Sequence, residues 1–129
     1  MPTVVVLDTN ALLLPFTAGT DLEREIERLV GPARIVVPAA MVQEIDSLTT
    51  HGGAEGRAAK AARKLMTRFD SEATPYGGDD GLLDVARRLK AVVVTNDRKL
   101  QEECSRSGLQ VLHSRETGRL AFRKSGSGA

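Results

Sequence analysis

The sequence is poor in cysteine and in aromatic residues. Its single cysteine, Cys104, can form no intramolecular disulfide and supplies no set of thiolate ligands for a structural zinc ion. A lone thiol is typical of proteins from reducing compartments, so we expect a cytoplasmic protein. Aromatic residues make up only 3% of the chain, which argues against a surface of aromatic platforms that stack on nucleic-acid bases.

Long apolar segments and a strong net charge are also missing. No segment approaches the roughly 20 apolar residues of a membrane-spanning helix, and the N-terminus lacks the features of a signal peptide. We therefore expect no association with membranes. Eighteen basic residues against seventeen acidic ones give a net charge of +1, which excludes the strongly basic surface of dedicated nucleic-acid binders. Any contact with nucleic acid must be local.

What the sequence does contain is an alternation of buried-type strands and amphipathic helices. Apolar and β-branched runs predict five strands, at residues 3–7, 34–38, 72–76, 91–95 and 109–113. Between them, helical spacing of apolar residues predicts helices, including 22–30, preceded by a capping-box pattern from Thr20 to Glu23, and 55–69. The alternation predicts an α/β fold with a central parallel sheet of about five strands and helices on both faces. We expect one domain over residues 1–124 and a flexible Gly/Ser tail over residues 125–129.

Acidic residues follow the predicted strands, at the sheet edge where ligands bind in open parallel α/β sheets. Asp8 follows the first strand, Asp79 and Asp80 follow the third, Asp97 follows the fourth, and Glu44 lies about two turns beyond the second. Like charges raise one another's pKa, so such a cluster needs a cation to remain ionised. Oxygen ligands favour Mg²⁺ or Mn²⁺ over zinc, and one or two such ions can promote hydrolysis of a phosphodiester.

Each of these acids also has a purely structural interpretation. Asp8 could cap the turn after the first strand, and Asp97 could cap the helix that follows it. Asp79 and Asp80 both suit a helix N-terminus, where the helix dipole favours negative charge. Asp79 shares a helix face with the apolar residues three and four positions later, whereas Asp80 points elsewhere. The helical wheel therefore favours Asp79 as the metal ligand, with Asp80 as a further candidate.

These residues together resemble the PIN-domain family, whose pattern combines an early Asp after the first strand, a helical Glu and two later Asp motifs. The matching segments are Val6-Leu7-Asp8-Thr9-Asn10, Val42-Gln43-Glu44-Ile45, Asp79-Asp80-Gly81-Leu82-Leu83 and Val94-Thr95-Asn96-Asp97-Arg98. PIN domains are metal-dependent nucleases, mostly endoribonucleases, so the resemblance implies cleavage of RNA. It implies catalytic and metal-binding roles for Asp8, Glu44, Asp79 and Asp97, and supporting roles for Asn10, Thr95 and Asn96.

The resemblance also suggests a branch of the family. The double acid Asp79-Asp80, the opening segment 12–16 and the motif at residues 95–98 look most like archaeal relatives of the rRNA-processing branch. VapC-type toxins come next. The implied function is rRNA processing, with a toxin ribonuclease as the alternative. The implied partners are RNA, a second copy of the chain, and an antitoxin or a ribosome-assembly protein. Gly81 departs from the pattern, because a larger residue often stands there.

Basic residues form a candidate contact for RNA phosphates. Arg57, Lys60, Lys64 and Arg68 recur at three- and four-residue spacing along one predicted helix, opposite its apolar face. Arg98 begins a C-terminal segment that is locally basic. An ordinary solvated helix face shows the same stripe of charge, so that interpretation stays open.

Two rival functions are also compatible with the pattern. The domain could bind RNA and metal without cutting, as an assembly module, although the presence of all four acids argues against a degenerate site. Alternatively, Asp8 could be the nucleophile of a phosphatase or phosphoacceptor of similar α/β layout. Asn10 argues against the phosphatase, since a second Asp usually stands at that position, and Lys99 is poorly placed for a phosphoacceptor.

Overall fold

The central sheet has one strand more than the sequence predicts. The computed structural model describes residues 2–124, and the predicted tail at 125–129 lies outside them. The strand order is β3-β2-β1-β4-β5-β6, in which the first five strands are parallel and β6 runs antiparallel to β5. The strands are β1 (Thr3–Leu7), β2 (Ala33–Pro38), β3 (Asp70–Glu72), β4 (Val92–Val94), β5 (Val111–Ser114) and β6 (Leu120–Phe122).

Helices cover the middle of this sheet on both faces. All of β4 and the last three residues of β1 are buried, although successive side chains point to opposite faces. The predicted α/β fold is therefore confirmed. None of the helices within residues 2–124 is long and apolar enough to cross a membrane. These helices are α1 (Thr9–Thr17), α2 (Leu22–Val30), α3 (Ala39–Leu48), α4 (Gly53–Met66), α5 (Gly78–Leu89) and α6 (Arg98–Arg106).

Helix α1 escapes sequence prediction because it contains Pro15. A proline inside a helix lacks the N–H of the normal hydrogen bond and crowds the carbonyl four residues earlier. The helix nevertheless begins directly after Asp8, whose Oδ1 accepts a hydrogen bond from the N–H of Ala11 over 2.7 Å. Ala11, Leu12 and Leu14 are buried in the core, and this burial offsets the cost of the proline.

The capping-box pattern predicts the wrong N-cap for α2. Asp21, and not Thr20, caps this helix. The hydroxyl of Thr20 donates instead to the carbonyl oxygen of Gly118, at 2.7 Å, and Glu25 accepts the backbone N–H of Leu120 at 3.0 Å. These contacts attach β6 and the turn before it to α2 and to the residue just before its cap. A local sequence pattern could not show them, because the Thr20 partner lies 98 positions along the chain.

Strand β3 and helix α4 occupy other bounds than those predicted. The strand predicted at residues 72–76 lies at Asp70–Glu72, where it pairs in parallel with the last residues of β2. Helix α4 ends at Met66, so Phe69 lies beyond it. The difference arises because the chain must leave the helix before residue 70 to reach the edge of the sheet.

Gly81 marks a close approach between α5 and α3. A Cβ added at Gly81 would lie 2.5 Å from the carbonyl oxygen of Tyr76 and 2.8 Å from the Cβ of Ala40. Neither atom belongs to a flexible side chain that could move aside. The glycine therefore lets α5, which carries Asp79, pack directly against α3, which carries Glu44. A larger side chain therefore has no room at position 81 in this packing.

Replacing Gly81 by alanine is expected to lower the free energy of unfolding by about 1–3 kcal/mol, because an overpacked contact forces backbone shifts. Urea denaturation measures this change. Gly52→Ser is the matched control: an added Cβ at Gly52 meets nothing within 4 Å, and serine is a favoured N-cap. We expect the control to change stability by less than about 0.5 kcal/mol. Equal losses in both variants would contradict the close approach.

Candidate active site

The strand order reverses at the centre of the sheet, between β1 and β4. From β1 the sheet continues to β2 and β3 on one side and to β4 and β5 on the other. In open α/β sheets such a reversal leaves a crevice beyond the carboxyl ends of the two central strands, and ligands bind there. Asp8 directly follows β1, Thr95 directly follows β4, and Asp97 comes two residues later. The fold therefore brings these three residues to the crevice.

Asp8 is a buried acid whose exposed fraction is only 6%. Burial raises its pKa from the usual 3.8 to about 6, and the charges of Asp79 and Asp97 act in the same direction. Hydrogen bonds from the Thr95 hydroxyl and the Ala11 N–H oppose this rise in the pKa. The structural interpretation of Asp8 as a helix cap is correct, because its side chain accepts the Ala11 N–H at the start of α1. Capping alone does not explain why an acid is buried among other acids.

Asp79 lies in the first turn of α5 and is exposed, although neighbouring groups partly enclose its carboxylate. This partial burial raises its pKa, and the charges of Asp97, Glu103 and Asp80 raise it further, while Lys99 lowers it. Asp8, Asp79 and Asp97 come from three separate segments of the chain. Their carboxylates nevertheless lie close enough for each pair of charges to be felt.

Asp97 caps α6, as its structural interpretation predicts. Its Oδ1 accepts the backbone N–H groups of Lys99 and Leu100, at 2.9 and 3.2 Å. Because one oxygen accepts both hydrogen bonds, Oδ2 takes no part in the cap. The cap and a ligand role are therefore compatible in the same side chain.

Thr95 lies between the segment that follows β1 and the start of α6. It is 1% exposed, and its Oγ1 accepts the backbone N–H of Asp97 over 3.0 Å while its hydroxyl hydrogen bonds to the Asp8 carboxylate. The side-chain amide of Gln101 donates to the Thr95 carbonyl oxygen at 2.8 Å. A single buried hydroxyl thus contacts Asp97 and lies close enough to Asp8 to lower its pKa.

Glu44 lies on the exposed side of α3 and reaches the crevice through Thr9. The Thr9 hydroxyl donates to Glu44 Oε1 over 3.3 Å, and Thr9 directly follows Asp8. Asp46, the other acid of this helix, is held in an ion pair of 2.7 Å with Arg63 of α4. The contacts thus separate the two acids: Glu44 faces the Asp8 segment and Asp46 faces away.

The remaining predicted polar residues lie around this centre. Asp80 is exposed and lines a different cleft, together with Tyr76 and three residues from the later part of α5. Asn10 is exposed in the first turn of α1. Asn96 exchanges two hydrogen bonds with Ser114 of β5, its Nδ2 donating to Oγ at 2.6 Å and its Oδ1 accepting the backbone N–H at 2.8 Å.

Two residues near the crevice were not among the sequence candidates. Thr9 is part of the motif after β1, but nothing in the sequence shows that its hydroxyl reaches Glu44, 35 positions away. Glu103 lies on α6 and raises the pKa of Asp79 on α5. The sequence places Glu103 beside the buried face of α6. It does not show that α6 approaches α5, because that approach depends on tertiary packing.

The predicted RNA contacts all lie on the protein surface, but Arg68 lies beyond the end of α4, so the predicted helical stripe holds only three of them. Arg57, Lys60, Lys64 and Arg68 are exposed, and α4 packs against α1 and α3. Arg68 also forms an ion pair of 3.2 Å with Glu23 of α2. Arg98 is exposed at the start of α6, next to Asp97.

The donor atoms of the crevice suit a hard divalent cation. Within residues 2–124, no three His, Cys, Asp or Glu side chains are gathered closely enough to hold a metal ion as they stand. Asp8, Asp79 and Asp97 offer carboxylate oxygens, which are the ligands that Mg²⁺ and Mn²⁺ prefer. Burial raises the pKa of Asp8 and of Asp79, their mutual repulsion and that of Asp97 raise it further, and a bound cation would relieve this repulsion. The chemistry of the donor atoms therefore fits the ion.

Comparisons with known proteins agree with this arrangement. The family described as "PIN like domain" matches residues 5–117. The chain is 28% identical over 116 residues to Ribonuclease VapC9 of Archaeoglobus fulgidus, covering 89% of this chain and 85% of that protein. The fold is similar to that of the PIN domain endonuclease Utp24, with a TM-score of 0.78, 18% identity, and 95% and 92% of the two chains covered. A domain of a functionally unknown protein from Methanocaldococcus jannaschii gives a TM-score of 0.64, 17% identity, and coverage of 88% and 91%.

Proposed function

The chain belongs to the PIN-like domain family, and from this premise we propose that it is a metal-dependent endoribonuclease that hydrolyses RNA phosphodiester bonds. One observation carries the proposal. Asp8, Asp79 and Asp97, from three separate segments, lie close together beside the crevice where the strand order reverses; burial raises the pKa of Asp8 and of Asp79, and the neighbouring acidic charges raise it further. The similarity to Ribonuclease VapC9 supports RNA as the substrate.

Asp8, Glu44, Asp79 and Asp97 would hold one or two Mg²⁺ or Mn²⁺ ions, with Asp80 as an outer candidate. When bound, these ions would supply the positive charge that lowers the pKa of a water molecule and stabilises the leaving oxygen. The chain's own contribution is positioning. Thr95 holds Asp8 and Asp97 in place, and Thr9 orients Glu44.

Asn10 and Asn96 are proposed to support the scissile phosphate or the waters around it. Asn10 lies exposed near the start of α1, and Asn96 is held to β5 by Ser114. The basic residues Arg57, Lys60 and Lys64 of α4 and Arg68, just beyond it, remain a proposed outer contact for RNA phosphates.

For the biological role we propose rRNA processing, supported by the motifs at residues 79–83 and 95–98. The match to Ribonuclease VapC9 favours a second candidate, a toxin ribonuclease paired with an antitoxin. The corresponding partners would be a ribosome-assembly protein or an antitoxin, with a homodimer compatible with either, in the cytoplasm. A short antitoxin-like reading frame beside the gene would favour the toxin.

Replacing Asp97 by asparagine tests the proposed function. Asparagine keeps an oxygen that can accept the N–H groups of Lys99 and Leu100, but it removes the charge. We expect the wild-type protein to cleave structured RNA in Mn²⁺, and we expect EDTA to abolish cleavage. Asp97→Asn should lower the single-turnover rate by about 100-fold or more, since a bound metal is worth several kcal/mol.

Asp21→Asn is the matched control for that variant. Asp21 also caps a helix, α2, but it lies outside the crevice, so the same chemical change should leave the rate within about twofold. Circular dichroism of both variants shows whether the fold is kept. Undiminished cleavage by Asp97→Asn would contradict the site, and cleavage that survives EDTA would contradict the metal.

A further inference from the structure

A basic cleft lies beside the carboxylates, between the start of α6 and the β5–β6 hairpin. Its volume is about 690 Å³, within the roughly 300–1,000 Å³ typical of ligand sites. We use the name basic cleft for the surface that is lined by Asn96, Arg98, Arg115, Phe122, Arg123 and Lys124, with Glu102 and His113 among its other walls.

The positive charge of the basic cleft is not neutralised by the protein. Four cationic side chains face one carboxylate, that of Glu102. Several arginines elsewhere are held in ion pairs with acids, for example Arg34 with Asp70 at 2.7 Å. None of the four cationic residues of the cleft takes part in an ion pair within residues 2–124. The cleft therefore offers its charge to an anionic ligand.

The basic cleft adjoins the proposed catalytic centre. Asn96 and Arg98, two of its lining residues, are the direct chain neighbours of Asp97. The two hydrogen bonds between Asn96 and Ser114 fix this wall of the cleft to β5. A ligand in the cleft thus lies next to the acid that caps α6. A polymer that reaches Asp97 can therefore continue into the basic cleft.

Phe122 adds an apolar surface to the cleft. It lies at the end of β6, the antiparallel edge strand, and 40% of its surface is exposed. Phe16 and Tyr76 are exposed to a similar extent, but Phe122 is the ring that lines the basic cleft. Nucleic-acid bases stack on such rings without regard to sequence, and neighbouring cations contact the phosphates. The low aromatic content of the chain predicted no extended stacking surface, but one ring is enough for one base.

We propose that the basic cleft binds a single-stranded segment of RNA that flanks the cleavage site, with one base stacked on Phe122 and phosphates on Arg98, Arg115 and Lys124. The segment must be single-stranded, because only an unpaired base can expose its face to the ring. The assignment rests on the proposed function for the identity of the ligand as RNA. An acidic protein would use the cations but has no comparable need for the ring.

RNA binding by an uncut complex tests this assignment. The protein carries Asp8→Asn so that the RNA stays intact, and fluorescence anisotropy follows a labelled, unstructured 12-nucleotide RNA and the same strand with abasic sites. Phe122→Leu should weaken binding of the intact RNA by about tenfold and leave the abasic strand unaffected. Phe122→Tyr keeps the ring and should retain affinity.

Arg98→Ala should weaken the binding of both strands and reduce the slope of log affinity against log salt by about 0.7. Arg24→Ala is the matched control, since Arg24 is exposed on α2 and outside the basic cleft. It should leave affinity and slope unchanged.

Three results would overturn the assignment: equal effects of Arg98→Ala and Arg24→Ala, the same loss for both strands with Phe122→Leu, or binding of a poly-glutamate peptide but not of RNA. The proposed nuclease function fails separately. If the wild-type protein cleaves RNA and neither Phe122→Leu nor Arg98→Ala changes cleavage or binding, only the proposal for the basic cleft is refuted. If RNA binding depends on the basic cleft but the wild-type protein does not cleave, only the nuclease function is refuted.

Discussion

Replacing Asp8 by asparagine is expected to reduce RNA cleavage by about 100-fold or more while the protein stays folded. The amide oxygen of asparagine can still accept the Ala11 N–H that caps α1, and the side chain has nearly the same volume. What disappears is a buried negative charge at the point where the strand order reverses. Single-turnover cleavage of structured RNA in Mn²⁺ measures the effect, and circular dichroism checks the fold.

The same substitution at Asp46 provides the comparison for Asp8→Asn. Asp46 lies on the helix that carries Glu44, but it pairs with Arg63 and does not face the crevice. An exposed ion pair is worth at most about 1 kcal/mol, so Asp46→Asn should leave the cleavage rate within about twofold. A large loss in Asp46→Asn together with full activity of Asp8→Asn would move the site to the other edge of α3 and refute the present assignment.

The parts of the fold that depend on local sequence could be predicted. Strands β1 and β4 are short β-branched runs buried on both faces, and their pattern is visible without any knowledge of the neighbours. Helix α1 was hidden by Pro15, because its stability comes from tertiary burial of the apolar residues around the proline. Strand β6 has only three residues, and its position depends on pairing with β5 and on the hydrogen bond from Leu120 to Glu25 of α2.

The candidate site divides in the same way. The placement of Asp8 and Asp97 beside the crevice could be predicted from the sequence, because the carboxyl ends of parallel strands meet at one edge of a sheet. The wheel separated Asp79 from Asp80, and the structure places Asp80 in another cleft. The contact from Thr9 to Glu44 could not be predicted, because it depends on how neighbouring helices pack.

The buried charge of Asp8 is expected to destabilise the metal-free protein. Its pKa is about 6 in the folded state against 3.8 as the usual value, so the native state holds the proton more tightly. The contribution of this group to stability is therefore greatest below pH 3.8 and is lost as the pH rises from 3.8 through 6. Above that range the cost reaches about 3 kcal/mol. In EDTA at pH 7.5, Asp8→Asn should consequently be more stable than the wild-type protein.

Urea denaturation of both proteins at pH 4 and pH 7.5 measures this cost, since the acids outside the crevice titrate alike in the two proteins. The difference should shrink towards pH 4, and Mn²⁺ at pH 7.5 should stabilise the wild-type protein more than the variant. A carboxylate that only caps a helix predicts the opposite sign, because its charge is favourable at the helix N-terminus. Asp21→Asn should therefore be slightly less stable than the wild-type protein at pH 7.5. Loss of stability in Asp8→Asn as well would leave Asp8 with the role of a helix cap alone, whereas a gain that Mn²⁺ reverses is the result expected of a site that holds a cation.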